Sequence, residues 1–315
     1  MVSSLEKIIE PETAGDPMSE KKWVRHSLRQ LSGALVDQEQ PVSYVTVRRL
    51  LKERDYSLHS NQKRLVGFAH PDRDRQFRYI RRVRQLFGAA GHPIISVDGK
   101  KKELIGDFKN PGRTWSRQAQ AVNVHDFAQE ALGRAVPYGI YDLLHNLGYV
   151  YIGTAADTPE LAVDAIVHWW QLPDRPTFAN EGKLLILADS GGSNGCRPRL
   201  WKKLLQERLA DPFGLEVMVC HYPTGASKWN PIEHRLFSYI SLNWAGEPLR
   251  SFEIMLGYIR DTETETGLKV EAYLTDYPYQ AGLKVSDDEL AALNLLPRRV
   301  CPRWNYVIKP RPPSA

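Results

Sequence analysis

Apolar residues recur along this chain at two different periods, and the change of period marks its organisation. From Ser19 to about Arg64 the spacing is helical: Leu28, Leu31 and Leu35 share one stripe, and Val47, Leu50 and Leu51 share another. Pro41-Val42 reads as a turn, after which Ser43 is placed to cap the second helix. A third helical stretch, 72–90, carries Phe77, Ile80, Val83, Leu86 and Phe87 on its apolar stripe and is broken by Gly91-His92-Pro93. Short apolar runs then take over. Strands are predicted at 94–98, 104–108, 148–154, 184–189 and 216–220, with helices at 158–170, 196–209 and 231–244 between or after the later ones. Thr158 and Pro159 supply a cap and a first turn. A hairpin-like run of strands followed by alternation with helices predicts an α/β fold, a mixed sheet flanked by helices. The expected organisation is a flexible lead-in over 1–19, a helical, helix-turn-helix-like region over 20–66 and a mixed-sheet domain over 67–310.

Composition narrows the class. Hydrophobic residues make up 42% of the 315 and charged residues 25%, the balance of a globular protein with a substantial core. No apolar run approaches the roughly 20 residues a membrane-spanning helix needs, and Met1-Val2-Ser3-Ser4-Leu5-Glu6-Lys7 lacks an apolar signal core. The cytoplasm is the expected compartment, with no membrane partner. Cys196, Cys220 and Cys301 lie far apart without CxxC spacing, which supports neither a disulfide framework nor a zinc site.

Charge is distributed unevenly. The net charge is +5, yet residues 48–84 alone contain 12 Lys or Arg against 4 Asp or Glu, or +8, leaving the remainder slightly acidic. Arg48, Arg49 and Lys52 on the second helix, with Lys63 and Arg64 beyond it, suit phosphate contacts by a helix-turn-helix. A solvated face of an ordinary helical hairpin accounts for the same charges.

Three acidic residues carry the chemistry. Asp98 ends Pro93-Ile94-Ile95-Ser96-Val97-Asp98, Asp189 ends Leu184-Leu185-Ile186-Leu187-Ala188-Asp189, and Glu233 sits in Asn230-Pro231-Ile232-Glu233 at a helix start. Each alone has an ordinary reading, a strand ending in a turn or a glutamate on a rim. Together, two strand-end aspartates on adjacent strands would repel unless a cation neutralised them. Glu233 shares its helix face with Phe237 and Ile240, which points its carboxylate toward the sheet edge. Two Mg²⁺ or Mn²⁺ ions held by Asp98, Asp189 and Glu233 against a DNA phosphate is the expectation. Lys100, Lys101, Lys102 and Lys228 are further candidates for phosphate contacts, although an exposed turn explains the first three equally well. Gly191-Gly192-Ser193-Asn194-Gly195 lacks P-loop spacing and reads as a close backbone turn.

These segments also resemble a known family. Residues 97–110, 123–127, 188–195 and 227–237, with Val285-Ser286-Asp287-Asp288-Glu289-Leu290 through Trp304-Asn305-Tyr306, resemble the DDE transposases of ISAzo-type bacterial insertion sequences, and Asn230-Pro231-Ile232-Glu233 is also similar to the wider mariner-like superfamily. The resemblance runs from about residue 17 to 310, with Gly99 standing where the family has Thr. It implies a ribonuclease-H-like fold, with Asp98, Asp189 and Glu233 as metal-binding triad. It also implies Mg²⁺-dependent cleavage at transposon ends and attack of the freed 3′-hydroxyl on target DNA. DNA and a homo-oligomer on paired ends are the partners it implies, in a bacterial, nucleoid-associated setting. A further helix-turn-helix region ahead of this segment is implied too, so a shortened N-terminus is expected. Two other activities share the same features: a metal-dependent nuclease of this fold, and an idle DNA-binding remnant or repressor derived from a transposase.

Overall fold

The computed structural model describes residues 2–15, 22–24, 27–56, 70–114 and 118–312. The chain forms two compact units, Met1–Leu65 and Val66–Ala315.

In the first unit, α1 (Val2–Glu12) is followed by β1 (Thr13–Gly15) and β2 (Lys22–Val24), which pair antiparallel, and by α2 (Leu28–Val36) and α3 (Tyr44–Lys52). Both later helices start where hydroxyl caps stand. Ser27 Oγ accepts the Gln30 N–H at 3.2 Å while Gln30 Oε1 accepts the Ser27 N–H at 2.8 Å, and Ser43 Oγ accepts the Thr46 N–H at 3.2 Å. Each cap contributes about 1 kcal/mol. The expected lead-in differs from the structure: its first part is the helix α1, because Leu5 is fully buried against Leu31, Leu35, Val47 and Leu50, with Ile8 packed alongside. Removing a leucine side chain from water stabilises by about 1.5–3 kcal/mol, enough to hold a short helix that composition alone makes look loose.

The second unit is built on a sheet that has nine strands among the described residues. In chain order the elements are α4 (Arg73–Ala89), β3 (Ile94–Gly99), β4 (Glu103–Ile105), β5 (Gly133–Asp142), β6 (Leu147–Gly153), α5 (Pro159–Gln171) and β7 (Lys183–Ala188). Then follow α6 (Arg199–Leu204), a π-helical stretch Leu205–Ala210, α7 (Asp211–Phe213) and β8 (Glu216–His221). The π-helical turn Glu233–Phe237 leads into α8 (Ser238–Asn243), before α9 (Phe252–Arg260), β9 (Lys269–Thr275), α10 (Asp287–Ala291), β10 (Leu295–Pro297) and β11 (Asn305–Ile308). Across the sheet the order is β10-β11-β8-β7-β3-β5-β6-β9, with β4 attached to β5. β3, β5 and β6 form an antiparallel meander, while β7 and then β8 add parallel on the other side of β3. This is the ribonuclease-H-like arrangement, with the first strand at the centre.

Side chains of alternate strand positions feed two layers. Ile95, Val97, Ile140, Leu184 and Ile186 pack under Leu161, Ile166, Trp169, Trp201 and Leu205 of α5, α6 and the π-helical stretch. On the opposite face, Ile94, Leu185 and Leu187 meet Ile80 and Val83 of α4, and Tyr141, Val150 and Ile152 meet Leu236, Phe237 and Ile240. Leu86, expected on the apolar stripe of α4, is instead 59% exposed, while Phe87 packs inward.

The hairpin partner of β3 also differs from expectation. Residues 104–108 contribute only the short β4, and the long partner is β5. Pro137, Gly133 and Gly139 break the apolar run there and hide a ten-residue strand. Gly139 is required by packing: a Cβ there would lie 2.5 Å from Phe237 Cε1. On β6 a Cβ at Gly148 would lie 2.4 Å from Leu236 Cδ1. Two glycines on neighbouring strands thus open a seat in which the segment carrying Glu233 lies close against the sheet.

Candidate active site

β3 and β7 are parallel neighbours with Val97 opposite Ala188, so Asp98, still paired with Gly139 of β5, and Asp189 come side by side where the β3–β7 ladder ends. Strand alternation puts Asp98 in phase with Ile94 and Ser96, and Asp189 in phase with Leu185 and Leu187. Both carboxylates therefore belong to the face covered by α4 and by the segment around Glu233. Glu233 comes to that face because Ile232, Leu236, Phe237 and Ile240 are buried beneath it. Its turn is π-helical, with the Ser238 N–H reaching the Glu233 carbonyl, a widening that recurs at functional sites.

The three acids interact. Burial pushes the Asp98 carboxyl up to about 8, with the charges of Asp189 and then Glu233 adding to the rise and the Gly99 N–H, donating to Asp98 Oδ1 at 2.8 Å, opposing it. Asp189 is raised by burial against hydrogen bonds from Ser227 and Asn230. Glu233 is raised by burial and by Asp189, against Lys100 and His234. Among the described residues, no three His, Cys, Asp or Glu side chains are gathered tightly enough to enclose one ion. The donor set itself is all carboxylate oxygen, which suits a hard divalent ion such as Mg²⁺ or Mn²⁺.

Residues beyond the three acids hold this arrangement. Fully buried Asn230 donates from Nδ2 to Asp189 Oδ1 at 3.1 Å and to the Val97 carbonyl at 3.4 Å, and its Oδ1 accepts the Ser96 hydroxyl at 2.5 Å. Asn194, from the glycine-rich loop, donates to the same Val97 carbonyl at 3.3 Å. That loop turns tightly: a Cβ at Gly195 would lie 2.8 Å from the Ser190 carbonyl oxygen. His221 is buried, with Nδ1 2.8 Å from the Asp189 carbonyl oxygen and Nε2 3.1 Å from the Tyr306 hydroxyl. Burial lowers its pKa to about 4, so it is neutral and braces the backbone of Asp189. Asp157 adds a further negative charge near Asp98, and its Oδ2 would lie 3.9 Å from a Cβ at Gly99. Its only sequence signal is a carboxylate just ahead of the Thr158 cap.

The basic candidates are divided. Arg48, Arg49 and Lys52 are exposed on α3, with Arg49 2.9 Å from Glu53. Lys63 and Arg64 lie outside the described residues. Lys101, Lys102 and Lys228 are exposed, and Lys228 Nζ lies 5.4 Å from the centroid of the half-exposed Trp229 ring. Lys100 turns inward instead: Nζ is 3.5 Å from Glu103 Oε1 and 4.8 Å from the Trp244 ring centroid, and burial lowers its pKa.

A family profile described as "Rhodopirellula transposase DDE domain" matches residues 4–310. No curated relative matches the chain. Among solved structures, the Mos1 transposase paired-end complex with left transposon end aligns at 14% identity over 80% of this chain and 68% of that one, with a TM-score of 0.43. The Mos1 strand transfer complex aligns at 14% identity over 82% and 69%, with a TM-score of 0.44. The mariner Mos1 paired-end complex with Mn aligns at 12% identity over 80% and 68%, with a TM-score of 0.43. At those scores the likeness is too weak to build on, and the family assignment stands on the profile, which spans nearly the whole chain: this chain belongs to the Rhodopirellula transposase DDE-domain family.

Proposed function

We propose that this DNA transposase cuts the ends of an insertion sequence and joins them to target DNA at a centre formed by Asp98, Asp189 and Glu233. The observation that carries the reading is the convergence of these carboxylates, from two parallel strand ends and one π-helical turn, on one face of the sheet. Burial raises all three carboxyls, and the negative charge of Asp189 adds to the rise at Asp98 and Glu233, a cost that a bound cation relieves. The three side chains would hold Mg²⁺ or Mn²⁺. Two such ions, when bound, activate the attacking oxygen and stabilise the leaving oxygen of an in-line displacement at phosphorus. The Gly99 N–H holds one oxygen of Asp98, and Asn230 together with Ser227 orients the Asp189 carboxylate. Exposed Lys101, Lys102 and Lys228 would meet the phosphates beside the scissile one, while Lys100 steadies Glu103 and tempers Glu233. The α3 cations Arg48, Arg49 and Lys52, with Lys63 and Arg64, would grip DNA through its backbone. Assembly as a homo-oligomer on paired ends accords with the family.

The test is Mn²⁺-dependent cleavage of a duplex carrying the element's ends, by the wild type and by the Asp98→Ala, Asp189→Ala and Glu233→Ala proteins. The reading expects cleavage by the wild type alone, with DNA binding retained in all four. Equal cleavage by the Asp189→Ala protein would remove that residue from the centre. Wild-type binding without cleavage would identify an idle remnant.

A further inference from the structure

The hydrogen-bond chain from Ile232 to Asp189 runs through one amide. The Ile232 N–H donates to Ser96 Oγ at 3.2 Å, so the Ser96 proton turns the other way, to Asn230 Oδ1 at 2.5 Å. That fixes the orientation of the amide, and its two N–H bonds face Asp189 Oδ1 at 3.1 Å and the Val97 carbonyl at 3.4 Å. Every polar atom of the Asn230 side chain is used, and the residue is 0% exposed. Its backbone takes part as well, since the Asn230 carbonyl accepts the Glu233 N–H at 3.1 Å in the turn that launches the helix. One side chain therefore ties together the central strand, the second aspartate and the start of the segment bearing the glutamate.

We propose that Asn230 is a positioning residue which, held by Ser96, fixes the orientation in which the Asp189 carboxylate is presented to a divalent cation. This rests on the reading of Asp189 as a metal ligand. Partners of a ligand at this remove typically change metal affinity by about 10–100-fold. A purely packing role would change stability and leave affinity alone. A purely electrostatic role would make Asn230→Asp, similar in shape and more negative, bind cations more tightly. The positioning role predicts weaker binding, because a carboxylate has no N–H to offer Asp189 or the Val97 carbonyl.

The experiment is calorimetric titration of Mn²⁺ into the full chain without DNA, for the wild type and for the Asn230→Ala, Asn230→Asp, Ser96→Ala and Asp189→Ala proteins, with folding checked by circular dichroism. The expected result is an Mn²⁺ Kd raised about 10–100-fold in Asn230→Ala and raised in Asn230→Asp, with a smaller rise in Ser96→Ala. In cleavage assays kcat should fall while KM for DNA holds. Should Asn230→Ala not fold, Ser96→Ala carries the test, since the hydroxyl is what orients the amide. Unchanged Mn²⁺ affinity in folded Asn230→Ala or Ser96→Ala, or tighter binding in Asn230→Asp, overturns the proposal. If Asp189→Ala also leaves Mn²⁺ affinity unchanged, the underlying reading of the site has failed instead.

Discussion

At the scale of single residues, Asp98 is the group whose environment departs furthest from water among the three acids. Its carboxyl is raised from 3.8 to about 8, chiefly by burial and then by the negative charges of Asp189 and Glu233. The folded, metal-free protein therefore holds a proton on Asp98 that the unfolded chain releases above about pH 4, so this group's contribution to stability falls as pH rises from 3.8 through about 8. Two outcomes follow. The thermal midpoint of metal-free protein should decline across that window, and Asp98→Asn should flatten the decline while raising the midpoint at pH 8. Added Mn²⁺ should raise the wild-type midpoint most at the alkaline end, where proton competition for the site is least. Differential scanning calorimetry against pH, with and without Mn²⁺, reads both. A midpoint that rises with pH in the wild type and is untouched by Asp98→Asn contradicts this electrostatic account.

At the scale of elements, the site depends on how closely one helical segment approaches the sheet. Gly139 and Gly148 provide the clearance for Phe237 and Leu236. Gly139→Ala should destabilise the protein by about 1–3 kcal/mol through overpacking and should lower cleavage by lifting Glu233. Pairing it with Phe237→Leu should recover part of both, as urea unfolding and cleavage rates would show. Full activity in Gly139→Ala would mean that the seat does not govern Glu233. The same glycines explain what the sequence concealed. β3 and β7 are legible because Ile-Ile-Ser-Val and Leu-Leu-Ile-Leu-Ala are nearly continuous apolar runs ending in aspartate. β5 is not, because Pro137 and Gly139 serve tertiary needs at the expense of local propensity. Helix α1 escaped because a stripe of Leu5 and Ile8 is too short to announce itself without its partners on α2 and α3. Asn230 stood within a recognised motif, but its role is conferred by Ser96 and Val97, more than a hundred positions earlier in the chain.

At the scale of the whole molecule, no helix among the described residues is long and apolar enough to cross a membrane, and the resemblance to insertion-sequence transposases agrees with the family profile over residues 4–310. The basic excess reaches into the second unit. On α4, Arg75, Arg78, Arg81, Arg82 and Arg84 are exposed, and among the described residues only Arg75 of these has a carboxylate partner, Asp72 at 3.7 Å. DNA affinity should accordingly fall steeply with salt. An Arg78→Ala, Arg82→Ala double variant should weaken binding to all sequences alike and flatten the dependence of log K on log salt by about 0.9 for each phosphate no longer neutralised. An unchanged slope in fluorescence-anisotropy titrations would make α4 a solvated face. One carboxylate centre is proposed both to cut and to join DNA, and strand joining is the step that separates it from a nuclease. Pre-cleaved element ends bearing a free 3′-hydroxyl should be joined to a target plasmid in Mn²⁺ by the wild type and not by the Asp189→Ala protein. Cleavage without joining by the wild type would describe a nuclease, and joining by Asp189→Ala would contradict the assignment of the centre.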